Sequence, residues 1–365
     1  MTRHLTTIAF VLALALGAAL WRGLLPLGEG ILVNILGLVL ALVVLVLGAD
    51  YMVHGAVRLA RRLGVSPFFI GVTVVAFGTS APELAASVGA ALKGAGGLAV
   101  GNVLGSNIAN ICLILGATAL ISPVPIERSI WRVDAPLMFV ITILASLAML
   151  DRFFPWIEIP EGGSAMIGRI DAGLLLAGLV AFVWFNARSG RIDPAEIEHE
   201  IEIELAESAS PEGAGEGTAI KAVGLFLAGL VGLVLGADLL VDNASAIALQ
   251  IGVSEAVIGL TVVAFGTSIP ELVFSARAAM KGHAEIAVGN IIGSNVFNLL
   301  SVLGIAALVR PIPVPEDAVS RDIWVVWGVS LVAMIVMKTH SRVTRPEGIL
   351  LLVAYALYTV WVYAG

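Results

Sequence analysis

Cysteine and charged residues are scarce in this 365-residue sequence. The single cysteine, Cys112, excludes an internal disulfide framework and a cysteine-rich metal site. The five histidines stand in scattered contexts, which argues against a zinc site. Charged residues make up 13% of the chain and hydrophobic residues 59%, and the net charge of −7 provides no basic surface for a nucleic acid. A soluble domain cannot bury this much apolar surface, so the composition predicts an integral membrane protein.

Long apolar stretches are abundant. A membrane-spanning helix needs about 20 mostly apolar residues. Eleven stretches qualify as helices, and they are continuous rather than alternating, which excludes an outer-membrane barrel. The sequence therefore predicts an all-α polytopic membrane protein. The stretches are 5–20, 31–57, 66–92, 97–121, 133–150, 171–187, 219–249, 253–280, 285–309, 323–337 and 348–364.

The first stretch, within residues 1–30, has two interpretations. Arg3 and His4 precede the apolar run 5–20, and the small residues at 17–19 resemble a cleavage site, as in a signal peptide. An extra N-terminal helix is the interpretation that we favour, and a cleaved signal peptide is the alternative.

The basic residues predict the orientation. With the N-terminus in the cytoplasm, 14 of the 20 Lys and Arg residues fall at cytoplasmic ends, which puts the C-terminus outside the cell membrane. Residues 188–218 then form an acidic cytoplasmic linker. A regulatory cation-binding loop is the alternative for this segment, although it lacks the ligand spacing of an EF-hand.

An internal repeat divides the chain. Residues 70–110 and 258–298 share 26 of 41 positions at a constant offset of 188. The repeat predicts two five-helix units, 31–187 and 219–365. Because five is odd, the units should enter the membrane in opposite senses. The charges agree. Arg58, Arg61 and Arg62 follow the first helix of the first unit, and the matching stretch 245–251 has no charge, whereas Lys93 alone ends the second helix and Arg277 and Lys281 end its counterpart.

Two acidic residues lie deep within predicted spans. Glu83 and Glu271 occupy equivalent positions, and neither has a Lys or Arg at matching depth. A charged carboxylate inside the bilayer is costly unless it is paired or solvated. The pair therefore indicates a cation site. The alternative is that each glutamate is protonated and hydrogen-bonded in a packed core.

The neighbouring residues supply oxygen ligands. Each glutamate ends a Gly-Thr-Ser-x-Pro-Glu motif, at 78–83 and at 266–271, in which proline frees helical carbonyls and Thr and Ser add hydroxyls. The next helices carry GNVLGSNIAN at 101–110 and GNIIGSNVFN at 289–298, where Ser and Asn share a face. An all-oxygen shell suits Ca²⁺, Na⁺ or Mg²⁺. Helix packing alone is the alternative role of the Gly, Ser and Asn residues.

These paired motifs resemble the α-repeats of the cation/Ca²⁺ exchangers and are most similar to those of prokaryotic sodium/calcium exchangers. The resemblance extends over residues 31–364 and implies ten core helices in two inverted halves, with four ion sites at the midplane. The implied metal ligands are Glu83 and Glu271 at the centre, Thr79 and Thr267 for Ca²⁺, Ser80, Ser268, Ser106, Ser294, Ala76 and Ala264 for Na⁺, and Asn110 and Asn298 in the middle position.

One position departs from the pattern of the family. Some members carry Asp where this chain has Asn298, so only two carboxylates set the charge of the site. This difference leaves the stoichiometry and the counter-ion open.

The predicted function is secondary antiport of Ca²⁺ and Na⁺ across the lipid bilayer. The alternatives are a Ca²⁺/H⁺ antiporter and, from another class, a cation channel. We expect no enzyme activity, no cofactor and no nucleic-acid partner. We also expect a monomer.

Overall fold

The protein is helical throughout most of the chain that its computed structural model describes, which comprises residues 16, 30–150, 165–189, 219–252 and 264–364. Eight helices in these residues are long and apolar enough to cross a membrane, or nine if one bent pair counts as a single span. The prediction of a polytopic helical membrane protein is therefore confirmed. Most of stretch 5–20, the acidic linker from residue 190 to 218, and residues 253–263 lie outside the described residues.

The helix boundaries follow the predicted stretches closely, and α1 extends beyond its prediction. The helices are α1 Ile31–Leu63, α2 Pro67–Thr79, α3 Ala81–Leu92, α4 Gly96–Ile121, α5 Ile130–Met149, α6 Arg169–Ser189, α7 Ala219–Gln250, α8 Ala264–Gly266, α9 Ile269–Met280, α10 Ala284–Val309, α11 Ile323–Lys338 and α12 Arg345–Ala364.

A break separates α2 from α3 where the sequence combines glycine and proline. Ser66 caps the start of α2, accepting a hydrogen bond from the Phe69 N–H at 3.1 Å. The axes of α2 and α3 differ by 44°, and Ser80 lies between them. Pro82 is the second residue of α3, where its missing N–H costs no helical hydrogen bond. Proline at this point therefore favours the start of a new helix in the interior of the span.

Two short antiparallel ribbons connect the two predicted repeat units. Strand β1 (Val124–Pro125) pairs with β4 (Arg342–Val343), and β2 (Met166–Ile167) pairs with β3 (Ile312–Pro313). Each ribbon takes one strand from each unit. The two units are therefore interlocked rather than joined only through the linker.

Helices α4 and α10 form the centre of the molecule. In the most apolar 18 residues of each helix, 72% of α4 and 89% of α10 are buried, compared with 11% of α12 at the periphery. On α12, the side chains of Leu350, Leu357 and Trp361 are more than half exposed. In a membrane these side chains would face lipid tails. Helices α3 and α9 pack against the central pair.

Helices α1 and α7 contact each other backbone to backbone. A Cβ atom added at Gly229 would lie 2.3 Å from the Met52 nitrogen, and one added at Gly55 would lie 2.4 Å from the Phe226 nitrogen. These distances are well below van der Waals contact. Glycine at both positions is therefore what allows the two helices to approach so closely.

An ion pair fixes α1 to α9. The Arg277 guanidinium donates to both carboxylate oxygens of Asp50, at 2.8 and 2.7 Å, and Lys281 Nζ lies 3.2 Å from the same carboxylate. The equivalent of Asp50 in the second unit is Asp238, and the equivalent of Arg277 in the first unit is Gly89. Within the described chain, Asp238 has no ion-pair partner. Among the described residues, the ion pair therefore occurs in one half only.

The close contact between α1 and α7 leads to a testable prediction about the stability of the protein. Gly229→Ala should lower the melting temperature of the detergent-solubilised protein by several degrees, because overpacking of this kind costs about 1–3 kcal/mol. Gly224→Ala, on the same helix, is the matched control. The added methyl group meets no atom within 4 Å there, and alanine favours the helix. Equal melting temperatures for the two variants would contradict the packing argument.

Candidate functional site

The two glutamates singled out from the sequence lie at the centre of the bundle. Each is the third residue of its helix, Glu83 on α3 and Glu271 on α9, and each is 1% exposed. Hydrogen bonds cross between the two halves. Ser268 Oγ donates to Glu83 Oε1 at 3.2 Å, and Ser80 Oγ donates to Glu271 Oε1 at 3.3 Å. The serine before each glutamate thus binds the carboxylate of the other half.

The broken helices explain how carboxylates are accommodated at this depth. Because α3 begins at Ala81 and α9 at Ile269, each glutamate lies in a first helical turn. The first turn of a helix carries unsatisfied N–H groups and the positive end of the helix dipole, which stabilise an anion. A continuous helix through the same residues would provide neither.

The second oxygen of each carboxylate has no partner. Within the described chain, Glu83 Oε2 and Glu271 Oε2 are buried without a hydrogen bond. Five further side-chain oxygens of the two repeat motifs are buried and unpartnered in the same way: Asn110 Oδ1, Thr267 Oγ1, Ser294 Oγ, Asn295 Oδ1 and Asn298 Oδ1. A buried polar atom without a partner costs about 1–3 kcal/mol, so seven in two short motifs indicate that something else binds there.

Asparagines at the start of each Gly-Asn motif hold the surrounding helices together. Asn102 Nδ2 donates to Ser87 Oγ at 2.9 Å and to the Glu83 carbonyl at 3.2 Å. Asn290 Nδ2 donates to Ser275 Oγ at 3.0 Å, which repeats the first contact in the other half. Neither Asn102 nor Asn290 is among the ligands predicted from the sequence. The sequence feature that could have identified them is an asparagine at the same position in both copies of a mostly apolar helix.

The threonines of the two halves differ in their contacts. Thr79 Oγ1 donates to Asn290 Oδ1 at 3.0 Å, whereas Thr267 Oγ1 has no partner in the described residues. The Ala76 carbonyl accepts from the Ser80 N–H at 3.0 Å. Ala264 begins α8, and its side chain lies outside the described atoms.

The remaining predicted residues lie on the central helices. Ser106 and Asn110 are buried on α4, and Ser294 and Asn298 are buried on α10. Asn298 begins a π turn, Asn298–Val302, that packs against α3. Asn298 Nδ2 donates to Asn107 Oδ1 at 3.1 Å, a contact that was not predicted from the sequence.

No basic group neutralises the glutamates in the part of the chain that the structure describes. Arg277 is six residues beyond Glu271, about 9 Å along the helix, and its charge is taken by Asp50. Among the described residues, no group of three or more His, Cys, Asp and Glu side chains lies together. The donor set is therefore two carboxylates with hydroxyl and amide oxygens, which suits a hard cation such as Ca²⁺ or Na⁺.

Comparison with protein families gives an independent line of information. The family model described as "Sodium/calcium exchanger protein" matches residues 33–188 and 221–364 of this chain. The two matched segments include both repeat motifs and leave out the N-terminal stretch and most of the acidic linker.

Two curated relatives are similar over almost their whole length. The chain is 36% identical to "Putative antiporter CaxA" of Alkalimonas amylolytica over 342 residues, which are 92% of this chain and 100% of the relative. It is 35% identical to "Sodium/calcium exchanger MaX1" of Methanosarcina acetivorans over 344 residues, which are 90% of this chain and 98% of the relative.

Solved structures of the sodium-calcium exchanger NCX_Mj match the fold. The structure soaked with Na⁺ and no Ca²⁺ superposes with a TM-score of 0.74 at 30% identity, covering 90% of this chain and 98% of that chain. A structure soaked with Na⁺ and Sr²⁺ gives 0.73 at 31% identity, covering 89% and 97%.

The donor set makes a prediction that concerns binding alone. Ca²⁺ should raise the melting temperature of the detergent-solubilised protein. In Glu83→Gln or Glu271→Gln, the Ca²⁺ concentration that gives half of this increase should be about 100-fold higher. The reason is that removing one partner of a buried charge interaction costs about 3 kcal/mol or more.

Asp134→Asn is the matched control for these two variants. Asp134 is 8% exposed at the start of α5, and its substitution also replaces a buried acid by its amide. Its Ca²⁺ response should equal that of the unmodified protein. An unchanged response in either glutamine variant would rule out the glutamates as ligands.

Proposed function

The chain belongs to the sodium/calcium exchanger protein family, and on that basis we propose that it is a secondary antiporter that exchanges Ca²⁺ for Na⁺ across the cell membrane. The observation that carries the proposal is the pair of buried carboxylates, Glu83 and Glu271, each with one oxygen bound to a serine and one without a partner. The family transports ions and is not a class of enzymes.

The proposed architecture has ten core helices in two inverted halves, 31–187 and 219–365, joined by a cytoplasmic linker. The nine spans counted above, together with the stretch 253–280 predicted from the sequence, would make up this number. The cross-half ribbons and the reciprocal Ser–Glu bonds support a two-fold arrangement. The exchange of basic residues between the two units supports its inversion.

The proposed ligands follow from the contacts and from the family. Glu83 and Glu271 would be shared by the competing ions, and the unpartnered oxygens around them would complete the shells. The further proposed ligands are Thr79, Thr267, Ser80, Ser268, Ser106, Ser294, Asn110 and Asn298, with the carbonyls of Ala76 and Ala264.

Coupling arises from competition for two negative charges. One Ca²⁺ balances both carboxylates, and Na⁺ ions distributed over the adjoining oxygens do the same. Both kinds of ion cannot occupy the centre at once, so binding of one from one side releases the other. Rigid-body movement of one group of helices around a midplane site would then expose it to alternate sides.

Helices α1 and α7 are the proposed moving group. Glycine contacts bind them closely to each other, so they can move as a unit. Among the polar contacts that join these two helices to the rest of the described bundle, the Asp50–Arg277 ion pair is the strongest.

A proton is the second candidate for the counter-ion. Protonation of Glu83 Oε2 and Glu271 Oε2 would turn both oxygens into donors, which could bind at most two of the five other unpartnered oxygens. At least three of the threonine, serine and asparagine oxygens would then still lack a partner in the described chain, whereas Na⁺ ions would use them. This difference favours Na⁺, since carbonyl, hydroxyl and carboxylate oxygens are the ligands of hard cations.

Proteoliposomes test the proposal. With an imposed Na⁺ gradient and no pH gradient, we expect accumulation of ⁴⁵Ca²⁺. Collapse of the Na⁺ gradient should stop the uptake, and Glu83→Gln and Glu271→Gln should abolish it. Uptake driven by a pH gradient in the absence of Na⁺ would instead identify a proton antiporter. Single-channel currents in a planar bilayer would overturn antiport altogether.

A further inference from the structure

A short chain of hydrogen bonds links α4 to α10 within the candidate ion site. Asn107 Nδ2 donates to the backbone carbonyl of Asn295 at 3.1 Å, and Asn107 Oδ1 accepts from Asn298 Nδ2 at 3.1 Å. All three residues are 0–1% exposed. Asn107 belongs to neither the exposed surface nor the proposed ligand set.

The backbone carbonyl determines the direction of the whole chain of bonds. A carbonyl oxygen can only accept, so the Asn107 amide must turn its nitrogen toward Asn295. The oxygen of the same amide then faces Asn298. Asn298 must therefore present its nitrogen to Asn107, which turns its own oxygen, Oδ1, away from that contact. This oxygen is buried and has no partner in the described chain.

We propose that Asn107 is a positioning residue that holds Asn298 with its amide oxygen, rather than its NH₂ group, available to the transported cation. The proposal rests on the proposed function and adds to it a residue that touches no ion. An amide turned the other way would direct two donor hydrogens at a cation.

The neighbouring carboxylates explain why Asn298 needs this restraint. The π turn that begins at Asn298 packs against α3, the helix of Glu83. A free amide there would turn its NH₂ group toward an unpartnered carboxylate oxygen, since hydrogen bonds to charged acceptors are worth about 1.5–3 kcal/mol. The orientation that binds cations would then be a minor state, and apparent affinity falls in proportion to its population.

The restraint operates in one half of the site. The equivalent of Asn107 is Asn295, whose Nδ2 donates to the Ile291 carbonyl of its own helix at 2.7 Å. Its Oδ1 has no partner in the described chain, so Asn295 accepts no bond from Asn110, the counterpart of Asn298. An aspartate at position 298, as in some relatives of this family, has two equivalent oxygens and would need no orienting partner.

Asn107→Leu in two backgrounds tests the proposal. In the otherwise unmodified protein, it should raise the Ca²⁺ concentration for half-maximal thermal stabilisation and for half-maximal ⁴⁵Ca²⁺ uptake by about 10-fold, which corresponds to the loss of one hydrogen bond to an orienting group. In an Asn298→Asp background it should change either value by less than about 3-fold, since a carboxylate has no NH₂ group to misorient.

Asn186→Leu is the matched control. Asn186 is 4% exposed, and its amide donates to the Phe182 carbonyl on α6 at 3.0 Å, so it is a buried asparagine outside the site. Its half-saturation should equal that of the unmodified protein. If Asn107→Leu does not elute as a single species on size exclusion, Asn107→Ala carries the same expectation.

Three outcomes overturn the proposal: an unchanged half-saturation in Asn107→Leu, an equal increase in both backgrounds, or an equal increase in Asn186→Leu. The binding measurement separates this result from the proposed function. If the unmodified protein binds Ca²⁺ but shows no Na⁺-driven uptake, the exchange reaction is wrong, while the role of Asn107 is still decided by the thermal shifts. If it binds no Ca²⁺, both proposals are overturned.

Discussion

The structure depends on one constraint, which is that two carboxylates are buried at the centre of an apolar bundle without a basic partner in the described chain. Burying a charged group is expensive, and the cost is reduced here by local means. Breaks in two helices bring unsatisfied N–H groups to Glu83 and Glu271. Each carboxylate also accepts a hydrogen bond from a serine hydroxyl of the opposite half. The compensation is incomplete, because one oxygen of each carboxylate stays without a partner. A site that is incomplete in this way, and lined by further unpartnered oxygens, favours a ligand that binds reversibly.

Much of this arrangement was predictable from the sequence, because the signals were local or repeated. Apolar runs predicted the spans, and Pro82 predicted a local loss of helical hydrogen bonds before Glu83; the position of the break, at Ser80, came from the structure. The cross-half contacts were not predictable. The bond from Ser268 to Glu83 joins residues 185 positions apart, and it depends on how the two halves approach each other. The different roles of Asn107 and Asn295 were also out of reach, since both occur in the same Gly-Ser-Asn context and differ only in their tertiary surroundings.

The two halves have the same candidate ion-site motifs, but they differ in the contacts that α1 and α7, the proposed moving helices, make with the rest of the described bundle. Asp50 on α1 is held by Arg277 and Lys281, whereas the first unit has Gly89 where the second has Arg277, so the repeat supplies no equivalent basic partner for Asp238 on α7. The predicted orientation puts Arg277 and Lys281 on the cytoplasmic side of the glutamates. A carrier with equal halves would have no built-in preference for either side. In the proposed exchanger, an ion pair that the described residues contain in one half only would favour one of the two alternately exposed arrangements, even though both halves carry the same ligand types.

The charge of the site decides what kind of exchange the chain can perform. With asparagine at both 110 and 298, the side chains of the repeat motifs contribute two negative charges when both glutamates are ionised. One divalent ion neutralises them, and so do two monovalent ions, whereas a third monovalent ion would leave a buried excess of one positive charge. Such a charge is costly in a low-dielectric interior, where the attraction between opposite charges is what offsets desolvation. An amide oxygen can coordinate a cation without changing this count, provided that its NH₂ group is held away. In the proposed exchanger, the orientation of Asn298 and the number of ions carried in each cycle would therefore both follow from the two negative charges of Glu83 and Glu271.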